Sequence, residues 1–418
     1  MRPSTRWWPT MADWPLQPLR EVTTKIGSGA TPRGGKSVYV AEGTTFIRSQ
    51  NVYDNQFSGE DIARISTDAA HALNGVTVES GDVLVNITGE SVTRTCSMDA
   101  RFLPARVSQH VSIVRADRRL VDPAFLLYVL LSPPLKARMH ALSQAGATRR
   151  ALTKSHLEGL RVPVPPLPEQ QRIAGVLGAF DDLIETNRRL ADDCLRLARL
   201  AAATALADQD WSSNLPDYVT VAKGFSYRSS ELQATGGQHL LNLKNAGRGG
   251  AFRFDGYKRL ETARHKRIQE VDDGDIVVSL TDLTQARDII ARAFRVERRG
   301  LRGTIVASLD LAVVRPKAGV SREFVWAVLM DPKFRAHAVP YCNGTTVLHM
   351  KDAALNDFSI PEPAESLMRR IDHEVRPLLE ASTLCQTEAD HLASQRDELL
   401  PLLMSGKVRV SEVEGSLP

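Results

Sequence analysis

The chain repeats itself, and any fold it adopts must be built twice. Gly81-Asp82-Val83-Leu84-Val85 returns as Gly274-Asp275-Ile276-Val277-Val278, and Val111-Ser112-Ile113-Val114-Arg115 as Leu311-Ala312-Val313-Val314-Arg315. The run from Pro123 to Leu131 matches that from Arg322 to Met330. Gly146-Ala147-Thr148 matches Gly344-Thr345-Thr346, and Leu157 to Pro163 matches Leu355 to Pro361. The separation stays near 200 throughout and is 198 for the last two pairs. One such match could be chance; five in the same order mark a tandem duplication.

Each half follows one plan. Short β-branched runs such as 83–87, 111–114 and 276–280, bounded by Gly, Asn and Asp, predict strands. One amphipathic helix follows, over about 123–140 and about 322–338, then a polar Gly/Thr loop. Proline-rich joints come next (162–168 and 360–363), stiff boundaries because proline continues neither a strand nor a helix interior.

A long helix follows each joint. Ile173, Leu177, Phe180, Ile184, Asn187, Ala191, Cys194, Ala198, Ala201 and Ala205 alternate at spacings of four and three. Ile371, Val375, Leu378, Ser382, Cys385, Ala389, Leu392, Arg396, Leu399 and Leu403 repeat them 198 residues on. A period of 3.5 held over more than four heptads predicts a coiled coil. Asn187 either fixes its register or turns outward, and Pro377 predicts a kink. Helices of roughly 38 residues are each about 57 Å long. Paired antiparallel, they would hold two globular units at opposite ends, a spacing suited to DNA sites one or more turns of about 34 Å apart. The expected fold is α+β: two tandem mixed α/β domains (1–166 and 207–361) joined by two long helices (167–206 and 362–406) that form an antiparallel coiled coil, with a tail at 407–418.

Charge follows the same division. The net charge is +6 over 1–166 and +4 over 207–361, against −1 over 167–206 and −5 over 362–418. That pattern fits two polyanion-binding units on neutral-to-acidic connectors. With 43% hydrophobic and 24% charged residues the chain is expected to be globular, and 418 residues suffice for two or three domains. No run reaches the length of a membrane helix, and Met1 to Trp14 lacks the apolar segment of a secretory signal. Cys96, Cys194, Cys342 and Cys385 form no close pair, which predicts reduced thiols and a cytoplasmic location.

Several motifs resemble those of the specificity subunits of Type I restriction–modification systems. They are the stretch 81–89, the segment Phe46-Ile47-Arg48-Ser49-Gln50-Asn51-Val52, the joint Pro165-Pro166-Leu167-Pro168-Glu169-Gln170-Gln171-Arg172-Ile173-Ala174 and the C-terminal run from Gln395 to Val410. The second copy departs from them: Pro361-Glu362-Pro363-Ala364-Glu365 lacks the Glu-Gln-Gln-Arg start, and Lys223-Gly224-Phe225-Ser226-Tyr227 stands in place of Gly29-Ala30-Thr31-Pro32. The resemblance implies that each domain recognises half of a split target in double-stranded DNA. It implies that the helices dock two methyltransferase subunits, which carry S-adenosylmethionine, and that restriction subunits using ATP and Mg join them. The chain itself would bind no cofactor and no metal.

No catalytic constellation stands out. Ile26-Gly27-Ser28-Gly29 is a lone GxG with Pro32 where a third glycine would fall, and Ser132-Pro133-Pro134-Leu135 lacks the amide and the aromatic of an adenine methyltransferase motif. It is read as a helix boundary. Residue type and loop position make Lys25, Ser28, Thr31, Arg33, Arg48, Gln50, Asn51, Thr148, Arg149 and Arg150 the DNA-contact candidates of the first domain. Lys244, Asn245, Arg248, Thr345 and Thr346 are those of the second. Arginine suits guanine, Asn and Gln suit adenine, and lysine suits phosphate. The rival reading is a coiled-coil adaptor that binds proteins rather than DNA, and the positive charge of both domains weighs against it.

Overall fold

The computed structural model describes residues 14–144, 150–282, 287–344 and 347–410, with all their side chains except those of Lys36 and Arg248. The chain forms two compact units: residues up to Leu183 together with those from Leu392 on, and residues Ile184–His391.

In the first unit the duplicated β-branched runs become neighbouring central strands. Val111–Ala116 lies between Thr23–Ser28 and Val83–Asn86, with Thr95–Ser97 at the far edge, all antiparallel. Ile113 faces Leu84 across the ladder, and both are fully buried. A second sheet runs Ala63–Ile65, Tyr39–Ile47, Ala105–Val107, Thr77–Val78, and its two middle strands are parallel. The second unit repeats this. Its antiparallel sheet is Val219–Lys223, Leu311–Pro316, Ile276–Ser279, Ala293–Arg295, and Val313 faces Val277. Its mixed sheet has five strands, with Ile305–Ala307 parallel to Gln238–Leu241.

The single amphipathic helix expected after these sheets is two helices in each unit. Pro123–Leu131 and Pro133–Gln144 meet at Ser132, which is extended (φ −60°, ψ 142°). Arg322–Met330 and Pro332–Ala338 meet at Asp331 (φ −63°, ψ 138°). The cause is local: a residue before proline is driven out of the α region. The first helix of each pair is nearly continuous core. Phe125–Leu130 and Phe324–Leu329 are buried on every side, and Asp122 and Ser321 cap their first turns.

The two long helices run Leu167–Leu206 and Glu365–Met404, 40 residues each. Every seam position in both is buried or half-buried, Asn187 included. The second helix is unbroken through Pro377, where a kink was expected. The helices pair antiparallel within each unit. In the first, Ile173 and Leu177 share a core with Leu400, Leu403 and Met404. In the second, Ala198, Ala202 and Ala205 share one with Leu367, Ile371, Val375 and Leu379. Those same cores take in the helix Phe125–Leu130 and the helix Phe324–Leu329 respectively, so the seam is continuous with each domain's interior.

Candidate nucleic-acid interface

The polar feature that stands out in the first unit is an open cleft of about 500 Å³, lined by Ser49, Gln50, Tyr53, Thr88, Gly89, Glu90, Ser91, Arg94 and His110. Buried amides build its wall. Asn51 is fully buried; its Oδ1 accepts from the Arg48 N–H at 3.0 Å and its Nδ2 donates to Ser58 O at 3.0 Å and Glu60 O at 3.3 Å. Asn86, also fully buried, donates to Ser49 O at 2.8 Å and Val52 O at 3.3 Å from the adjoining strand. Together they clamp the turn Ser49–Asn51 so that Gln50 is exposed at the cleft.

The rest of the lining is held as firmly. Gly89, at φ 76°, turns the chain after Thr88 and donates to Arg150 O at 3.1 Å. Thr88 Oγ1 meets His110 Nδ1 at 2.7 Å. The Arg94 guanidinium lies over the Tyr53 ring, 4.8 Å from its centroid, a cation–π contact that leaves the fork free at its edge. Arg150 sits 3.5 Å from Glu90. Exposed amide, hydroxyl, imidazole and guanidinium groups thus converge where hydrogen bonds to base edges or phosphates are chemically available.

The second unit builds the same turn with different residues. Asn245 is fully buried, accepts from Asn242 N at 3.0 Å and donates to Arg253 O at 2.9 Å. Asn242 takes the place of Arg48, and Lys244 is exposed where the first unit has Gln50.

Of the residues singled out in the sequence, Gln50 lines the cleft, and Arg150 neighbours it through Glu90. Arg48 is half-buried and donates to Asp61 O at 2.8 Å. Asn51 and Asn245 are fully buried and turn their amides to the backbone of the turns. Lys25 lies in the strand Thr23–Ser28, opposite Arg115, and donates to Gly75 O at 2.9 Å. Burial and the neighbouring Arg115 lower its pKa. Ser28, Thr31 and Arg33 are exposed, on and beyond the end of that strand. Thr148, Arg149, Thr345, Thr346 and the side chain of Arg248 lie outside the described residues. Tyr53, Thr88, Arg94 and His110 were not anticipated. The available signal was Thr88-Gly89, the end of the repeated strand motif.

Among the described residues no three His, Cys, Asp or Glu side chains gather to hold a metal, and no helix is long and apolar enough to cross a membrane.

A duplicated mixed fold on paired long helices, with an open polar cleft in its first copy, defines a modular two-domain protein. Residues 11–192 match the family model described as the Type I restriction modification DNA specificity domain. The putative Type I restriction enzyme MjaX specificity subunit of Methanocaldococcus jannaschii is 21% identical over 95% of this chain and 94% of its own. The MjaVIII specificity subunit of the same organism is 22% identical over 71% of this chain and 72% of its own. The crystal structure of a Type I S subunit from M. genitalium has this fold, with a TM-score of 0.54, 15% identity, and coverage of 94% of this chain and 96% of that one. Residues 11–192 thus match the specificity domain of Type I restriction–modification systems, and most of the chain is similar to the specificity subunits of such systems.

Proposed function

We propose that this chain is the DNA-reading, non-catalytic subunit of its complex and that it binds a bipartite target. The observation that carries the reading is the duplication. One chain holds two copies of the same mixed fold, each with a clamped turn that presents an exposed polar residue, Gln50 in one and Lys244 in the other. Net positive charge in both segments supports it. The modules we assign are 1–166 and 207–361 for recognition, 167–206 and 362–406 for the spacer helices, and 407–418 for the tail. The partners we infer are two methyltransferase subunits carrying S-adenosylmethionine and restriction subunits using ATP and Mg. Leu190, Leu197 and Leu384 on the helices are large and solvent-exposed, as a docking surface for such partners requires.

Methylome sequencing of the host with and without the gene tests this directly. The expected result is loss of methylation at one split motif. Exchanging residues 1–160 for those of a related subunit should change one half of that motif and leave the other half and the spacer intact. Unchanged methylation on deletion would favour the protein-binding adaptor.

A further inference from the structure

The duplication supplies an internal control for one place in the fold. In the first unit, Lys136, on the second helix of its pair, ties its ammonium to the Asp54 carboxylate and to the Thr93 carbonyl. Asp181 beside it takes Asn55 and Arg396, and Asp397 takes Arg396. Lys136 and Arg396 there each have an acid, and Arg94 stacks on Tyr53.

The corresponding place in the second unit has lost those acids. Thr93 and Arg94 correspond to Ala291 and Arg292, and Asn55 to Gly249; Thr93, Ala291, Asn55 and Gly249 all have positive φ. Lys136 corresponds to Arg335. The positions of Asp54, Asp181 and Asp397 are held by Arg248, Leu379 and Arg199. What remains is a cavity of about 260 Å³ lined by Gly249, Arg292, Asp331 and Arg335 among others. Arg199, on the first long helix, reaches the same wall: its Nη1 is 3.8 Å from where a Cβ on Gly249 would stand.

These three guanidiniums are under-used. Nε and Nη2 of Arg199 and Nε of Arg335 are buried with no hydrogen-bond partner. Arg335 Nη2 donates to Arg287 O at 2.6 Å, and Arg292 Nε reaches Asp288 O at 3.4 Å. Among the described residues no carboxylate forms an ion pair with any of the three. The Asp331 carboxylate caps its own helix, accepting from Lys333 N at 2.8 Å. Asp192, two turns along the helix from Arg199, and Asp288, four residues from Arg292, are the acids that act on them from farther off. Burial, then Arg335 and Arg199, lower the pKa of Arg292. A buried guanidinium without a partner is costly, and Arg292 and Arg335 in the cavity lining, with Arg199 behind its Gly249 wall, gather three positive charges that a tetrahedral oxyanion would match.

We propose that Arg199, Arg292 and Arg335 form a binding pocket for one phosphate-class oxyanion in the second unit, with no counterpart in the first. The group is either free inorganic phosphate or a backbone phosphodiester, and the pocket does not depend on the DNA-reading assignment. The test is thermal unfolding and calorimetry of the full chain, titrated with sodium phosphate against sodium chloride at matched ionic strength. Saturable stabilisation by phosphate alone is expected. Arg199→Met with Arg335→Met should weaken it at least tenfold, and Lys136→Met in the first unit should not. Without phosphate, Arg199→Met should raise the unfolding temperature by relieving like-charge crowding, whereas a merely structural arginine would lower it. Should the double variant fold poorly, Arg199→Lys alone, which keeps the charge but not the fork, serves in its place. Phosphate that displaces a short DNA duplex from the wild type but not from the variant identifies the group as a backbone phosphodiester; saturation without displacement identifies a free anion. Equal responses to phosphate and chloride, or an unchanged phosphate response in the variants, would overturn the proposal.

Discussion

Arg115 grips the buried carboxylate of Asp82 with both prongs of its guanidinium, Nε at 2.7 Å from one oxygen and Nη2 at 2.8 Å from the other. Asp82 also accepts from Glu79 N at 2.7 Å, so one carboxylate ties two central strands to the turn before them. The duplicate pair, Arg315 and Asp275, makes a single contact at 3.3 Å and is more exposed.

The two pairs therefore differ in worth. Asp82→Ala leaves Arg115 only the exposed Glu79 carboxylate and the Thr77 carbonyl, strands Glu79 N, and should cost the first unit about 2 kcal/mol. Asp275→Ala should cost about 1 kcal/mol or less, as a more exposed pair does. Hydrogen exchange of the amides in Val111–Ala116 and Leu311–Pro316 reads the two units separately. Equal losses of protection would refute the distinction.

Gln170 holds the proline-rich joint to the recognition domain. Fully buried, it accepts from Asp122 N at 2.8 Å and donates to Leu120 O at 3.0 Å and Pro165 O at 2.7 Å. Gln170→Ala strands these groups and should destabilise the first unit by roughly 2 kcal/mol. Faster proteolysis at the joint, with the second unit's protection unchanged, is the expected readout.

Glu231 accepts from Arg264 at 2.5 and 3.0 Å, from Arg228 N at 2.7 Å and from Thr262 Oγ1 at 2.7 Å. Led by the Arg264 hydrogen bonds, these partners hold its carboxyl at about 2. A folded pKa below the unfolded one stabilises at pH above the unfolded value of about 4.3 and is lost as pH falls toward 2. The melting-temperature gap between wild type and Glu231→Gln should be widest near neutral pH and close between pH 4 and 2. A gap that does not depend on pH would contradict this.

Cys96 pairs with Leu84 across the first unit's antiparallel sheet and shares a core with Leu84 and Ile113, where burial pushes its thiol up to about 12. It should resist alkylation at pH 8 in the folded chain and react once denatured, because the thiolate is the reactive form. Peptide mass mapping after brief labelling checks this.

How much the sequence disclosed depended on whether the signal was periodic. The seam was legible position by position because a 3.5-residue period leaves little freedom, and even Asn187, Ser382 and Arg396 lie along it, buried or half-buried. Ser382 is accommodated by donating to Ala191 O at 2.9 Å. The cleft was not legible, since Tyr53, Thr88, Arg94 and His110 come from separate loops that only the sheets bring together. Nor could residue type tell Asn51 from Gln50: adjacent amides, one buried in the turn and one exposed. The Glu-Gln-Gln-Arg start missing from the second joint also has a physical reading. Met368 replaces Gln170, and Ser321, the counterpart of Asp122, turns instead to Asp372 at 2.6 Å and to the Met368 sulfur at 3.4 Å. Likewise Gly29 and Gly224 sit in dissimilar segments but do one task. A Cβ on either would stand about 2 Å from a carbonyl oxygen, that of Val107 or of Ser308.

The first unit's core is closed by residues near the far end of the chain. Leu400, Leu403, Met404 and Val410 pack with Leu177 and Phe125, which a ribosome makes more than two hundred residues earlier. At 5–20 residues per second, roughly ten to forty-five seconds separate Leu177 from Leu400 during synthesis. For that interval the apolar face of the first long helix lacks the cover that the last helix provides, and the nascent domain is open there to chaperones or to the matching segment of another chain. The order of translation thus makes the last helix a timer for the first domain.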